Sequence, residues 1–163
     1  MRFLLAAVFV AGLIHAQDTP AAPDNLKPPA TEKLARQAHA AGDQIYSCDG
    51  SKWVLTGPEA KLYDESGKQI GTHFAGPTWE WFDGSRVTGR AVANATPDPD
   101  SIPWLLVTAV NHLGEGAMKQ VSSIQRLSTK GGKAPATGCD ELHKGEKTRS
   151  HYTAIYYFYT PGQ

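Results

Sequence analysis

Residues 71–89 read GTHFAGPTWEWFDGSRVTG, and this stretch decides the fold class. Runs of β-branched and aromatic residues flank Gly76-Pro77 and again flank Asp83-Gly84. Asp-Gly between two such runs is a strong hairpin signal, because a two-residue loop needs residues that accept a positive φ. The same texture continues in both directions. DQIYSC, SKWVLT, AKLYD, PWLLVTAVN, KQVSSIQRLST and HYTAIYYFY all read as short strands. Between them stand Asp49-Gly50, Gly57-Pro58, Ser66-Gly67, Gly114-Glu115-Gly116 and Gly131-Gly132. Turn signals at this spacing predict an all-β domain, an antiparallel β-sandwich or small β-barrel, and not βαβ units. HYTAIYYFY is apolar on both faces, so it is covered on both sides or shows a tyrosine row outward.

Upstream the texture differs. MRFLLAAVFVAGLIHA, residues 1–16, has one Arg before an apolar run and reads as a secretory signal peptide, too short in its apolar part to span a bilayer. That predicts a secreted or periplasmic protein with no integral membrane segment in the mature chain. Residues 17–30, QDTPAAPDNLKPPA, read as a disordered Pro/Ala-rich leader. In TEKLARQAHAAG, Thr31 fits a cap, Leu34 and Ala38 share a helical face, and Gly42 fits a stop, so a short N-terminal helix is predicted. Residues 31–163 then form one all-β domain around it. The chain has 163 residues, 16 acidic and 16 basic, and this neutral balance argues against a nucleic-acid partner.

With a two-residue Asp83-Gly84 loop, Glu80 would face Val87 and share a face with Phe82. Trp79, Trp81, Arg86 and Thr88 would share the other. A longer loop with a bulge would reverse these faces. A carboxylate among apolar groups needs a partner, and His73, across the Gly76-Pro77 turn, is the nearest in sequence. Glu80 and His73 are therefore the candidate acid–base pair for a small enzyme, against the simpler reading of a buried Glu that fixes the turn. Trp79, Trp81 and Trp53 are candidates for stacking on a ligand such as a carbohydrate or surface polymer. His73, His112 and His151 are candidate metal ligands, but their spacing matches no H-x-H or H-E-x-x-H pattern. Ser85 and Ser101 lack a G-x-S-x-G context, and Lys130-Gly131-Gly132-Lys133 lacks a following helix for phosphate. No cofactor is implied. Asn94-Ala95-Thr96 fits a glycosylation acceptor and points to an exposed position.

Cys48 and Cys139 are the two cysteines. An oxidising compartment favours their pairing, and a two-thiol metal or redox site would want closer spacing. QIYSC, PEAKLYD, GTHFAGPTWEWFDGSRVTG, IPWLL, IQRLSTKGGKAPATGCD and YTAIYYFY occur here in an order that resembles an uncharacterised family of secreted bacterial and fungal proteins, domain of unknown function 3455. The resemblance covers roughly residues 42–159. It implies a secreted all-β domain with its two cysteines paired, and it implies no known reaction. Some fungal members carry a dehydrogenase label, which finds no support here: no glycine-rich fingerprint opens a helix after a strand. The function read from the chain is thus an extracellular or envelope binding or structural protein.

Overall fold

The computed structural model describes residues 19–162. The signal peptide read at residues 1–16 lies outside the described residues. Eight antiparallel strands follow one another around a closed barrel: β1 (Glu32–Cys48), β2 (Trp53–Tyr63), β3 (Gln69–Phe74), β4 (Thr78–Trp81), β5 (Arg86–Ala95), β6 (Trp104–Leu113), β7 (Ser123–Gly131) and β8 (Lys147–Pro161). β8 returns to β1 and pairs with it from Glu32↔Pro161 to Ser47↔Lys147. Of the two sequence alternatives the closed barrel holds, and closure leaves no sheet edge along the wall where β8 meets β1.

Side chains alternate inward and outward along each strand. Ala38, Ala40, Leu62, Trp79, Val87, Val107, Ile124, Tyr152, Ala154, Tyr156 and Phe158 form one buried core. The inner face of HYTAIYYFY is buried, while its outer face runs from exposed His151 and Thr153 through half-buried Ile155 and Tyr157 to buried Tyr159. Tyr152, Tyr156 and Phe158 fill the interior, and Tyr159 is buried on the outside, where its hydroxyl donates to Gln125 Oε1 at 2.6 Å.

The helix expected over residues 31–42 is a strand. Ala38 and Ala40 are buried with period two, facing Tyr156 and Ala154 across the β1–β8 ladder. Alanine is the best helix former, but here its small size makes room for rings from across the barrel, and packing overrides propensity. Gly42 is not a helix stop either. A Cβ on it would lie 2.2 Å from the Glu59 carbonyl oxygen, so glycine lets β1 and β2 approach closely.

The described part of the leader is also ordered, contrary to expectation. Asp24–Leu26 forms one 3-10 turn, and Leu26 is 0% exposed. Its carbonyl accepts from Gln125 Nε2 at 2.6 Å, and Asn25 Nδ2 donates to the Asn94 carbonyl at 3.0 Å. A single large apolar side chain and two hydrogen bonds are enough to lay this segment against the outside of the wall.

The Asp83-Gly84 loop departs from the two-residue form. Trp79 faces Val87 and Glu80 faces Arg86, and the Trp81 amide donates to the Ser85 carbonyl, so three residues make the loop. A one-residue slip moves every side chain to the other face. The tryptophans turn inward and Glu80 turns out. The cause lies beyond the hairpin: Asp83 accepts from the Ser85 amide and hydroxyl and from the Ala117 amide. The wider turn lets one carboxylate hold two loops together and draws its own pKa below the usual carboxylate range.

Candidate functional site

Inside the barrel β3 and β4 place His73 against Trp79. Their rings stack at 4.4 Å with 12° between planes, and Tyr156 from β8 meets His73 edge-on at 5.0 Å. His73 Nδ1 lies 2.9 Å from the Thr78 carbonyl oxygen and donates to it, which leaves Nε2 as the acceptor of a neutral ring. Burial depresses the imidazole pKa to about 3, helped by the Arg126 charge and opposed by the Thr78 bond. Arg126 faces inward opposite Tyr156, its Nε and Nη2 donating to the Pro103 carbonyl at 3.1 and 2.9 Å. The Tyr152 and Tyr156 hydroxyls lie 3.4 Å apart, and burial pushes both phenols up. A neutral imidazole, two protonated phenols and a half-buried guanidinium thus stand near one another, the imidazole and guanidinium each anchored to a backbone carbonyl.

Glu80 is not part of it. It pairs on the outer face with Arg86, Nε to Oε2 at 2.8 Å, with side chains 29% and 43% exposed respectively. Glu80 and His73 thus occupy opposite faces of one wall, and the acid–base pair read from the sequence is not assembled. At this exposure the ion pair contributes about 0–1 kcal/mol. The stretch with the strongest look of a site is a packed hairpin.

The three candidate metal ligands also stand apart. His73 is interior. His112 donates from Nε2 to the Val121 carbonyl at 2.7 Å on the outside, and His151 lies 3.4 Å from Asp43 Oδ1. No group of three or more His, Cys, Asp or Glu among the described residues could hold a metal. Ser85 and Ser101 serve turns: Ser85 donates to Asp83 and Ser101 to Asp98. Lys130 pairs with that same Asp98, and Lys133 donates to the Pro99 carbonyl. Cys48 and Cys139 form a disulfide with Cα atoms 5.3 Å apart.

The three tryptophans divide. Trp79 is 1% exposed and offers no face to a ligand. Trp81 and Trp53 are half-buried near opposite ends of β2. Trp81 packs edge-on against Phe158 at 5.5 Å and lines a depression of about 450 Å³ with Arg36, Asp64, Glu65, Ser66 and Ile70. Trp53 Nε1 donates to the Thr137 carbonyl at 2.9 Å. Sequence reasoning passed over Arg36 and Arg126. Arg126 stands two residues from Ile124 in IQRLS, so strand alternation alone marks it as inward.

These features define a closed antiparallel β-barrel with a core of packed aromatic side chains, stapled by a disulfide from the end of β1 to the loop between β7 and β8. The family described as "Protein of unknown function (DUF3455)" matches residues 29–160, and the chain belongs to that family. No curated protein and no solved structure is significantly similar to it. No helix among the described residues is long and apolar enough to cross a membrane.

Proposed function

We propose that the chain is a secreted binding domain that recognises carbohydrate or a cell-surface polymer at the Trp81 depression. The observation that carries this reading is the lining: one half-buried indole beside a guanidinium, two carboxylates and a hydroxyl. A sugar ring presents an apolar C–H face to an indole and hydroxyl groups to polar side chains, and this lining supplies both. Trp53 is a second aromatic edge at the other end of the barrel, whereas Trp79 has no part in recognition. The Cys48–Cys139 disulfide fits an oxidising, extracellular compartment.

Affinity electrophoresis against a panel of soluble polysaccharides tests the reading. At least one polymer is expected to retard the protein. Trp81→Ala is expected to weaken that binding about tenfold, the upper range of one aromatic contact. Arg36→Ala, on an exposed residue, is expected to weaken it less without disturbing the core. The reading falls if no polysaccharide retards the protein, or if both variants migrate like the parent.

A further inference from the structure

A second and larger groove lies on the outside, between the N-terminal segment and β5–β6. Its volume is about 830 Å³, within the usual range for small-molecule sites, and it shares no lining residue with the Trp81 depression. Val92, Leu106, Ala109 and Val121 make its apolar wall. Val92 is nearly half exposed, Leu106 and Ala109 are half-buried, and Val121 is buried at the floor. Glu32 lines the same groove, and its Oε2 is shielded from solvent with no hydrogen-bond partner among the described residues.

An ionised carboxylate oxygen held away from water requires a donor. The two lysines of the groove do not supply it. Lys27 Nζ lies 2.6 Å from Asp24 Oδ1, and Lys119 is bonded to Glu115. His112, also in the lining, spends its Nε2–H on the Val121 carbonyl. In the neutral ring its Nδ1 is a further acceptor, not a donor. Thr108, Gln120 and Ser123 also line the groove, but none of them bonds to Oε2, so the groove combines apolar area with one carboxylate oxygen that lacks a donor, while its own cations are turned to other carboxylates.

We propose that this groove binds a small amphipathic ammonium, an apolar chain with a primary-amine head, and that Glu32 holds the head. The chain covers Val92 and Leu106, and an N–H of the head supplies the donor that Oε2 lacks. A carboxylate-headed chain is disfavoured, because its charge matches that of Glu32. A neutral alcohol can donate one hydrogen bond but brings no charge to the carboxylate, and binds more weakly.

The test is a titration of the disulfide-bonded protein with n-octylammonium, n-octanol and n-octanoate, followed through the backbone amide NMR signals of Val92, Leu106 and Ala109. Octylammonium is expected to shift these signals and to bind at least tenfold more tightly than octanol, with octanoate weakest. Glu32→Gln is expected to remove the tenfold preference while leaving octanol binding unchanged. Octanol or octanoate binding as tightly as octylammonium to the parent protein would overturn the proposal, and that ranking stands even if the variant fails to fold. It would equally be overturned if no probe moves the groove signals, or if Glu32→Gln keeps the preference. None of these outcomes bears on polysaccharide binding at Trp81.

Discussion

Cys48→Ser is expected to lower the melting temperature by roughly 10–20 °C under non-reducing conditions. The bond joins residues 91 apart, from the end of β1 to the loop between β7 and β8. In the chain-entropy description a loop of that length stabilises the fold by about 4–5 kcal/mol, through the freedom it removes from the unfolded chain. A domain of this size loses about 2–4 °C per kcal/mol. Around the bond the native contacts are already dense. Cys48 exchanges backbone hydrogen bonds with Gly145 and Glu146, and Tyr46 donates to the Gly132 carbonyl at 2.6 Å. The variant should therefore keep the folded structure and lose stability, and the parent under reductant should melt with it. Differential scanning calorimetry checks both, and an unchanged melting curve would mean that the cross-link constrains nothing.

Trp79→Ala is expected to cost about 3–5 kcal/mol, the range for removing a fully buried large aromatic. The indole is the hub of the interior. It stacks on His73, meets Tyr156 edge-on at 5.4 Å and Phe158 at 6.4 Å, and sits close against Gly89. Those neighbours hang from β3, β5 and β8, three separate parts of the wall, so the cavity cannot close by moving one side chain. Phe82→Ala, three residues away on a ring 66% exposed, is the matched control and should change stability by less than about 0.5 kcal/mol. Urea unfolding of the two variants decides the matter. Similar losses for both would mean that the hairpin does not turn its tryptophans inward.

The strands and turns around residues 71–89 could be read from the chain because β-branched and aromatic runs alternate with Gly turns there. Which face of that hairpin is buried could not. It depends on the count of residues in one loop, set by a bond from Asp83 to Ala117, 34 residues on. The same limit explains β1. Leu34, Ala38 and Gly42 satisfy helical spacing, and only the rings arriving from β8 make the period-two pattern of Ala38 and Ala40 the decisive one. Leu26 stood among prolines and polar residues, with nothing local to say that Gln125 would bind its carbonyl. Of the candidate sites, the tryptophans were found by type, but their division into one core residue and two partly exposed ones needed the register. The Glu80–His73 pairing failed for the same one-residue reason.

The barrel core is built around a neutral His73, buried against Trp79 and Tyr156, and the protonation of His73 tests this most directly. Its pKa is depressed from 6.5 to about 3 by burial of the neutral ring. The unfolded chain binds this proton and the folded chain does not. The ring's contribution to stability is therefore complete above about pH 6.5 and is lost progressively as pH falls toward 3. Imidazole ¹⁵N–¹H NMR from pH 8 to pH 5 should show His73 as a fixed neutral tautomer, protonated on Nδ1, with no titration across that range. Midpoint titration of His73 near pH 6.5, in protein that remains folded, would contradict the account and place water beside that ring.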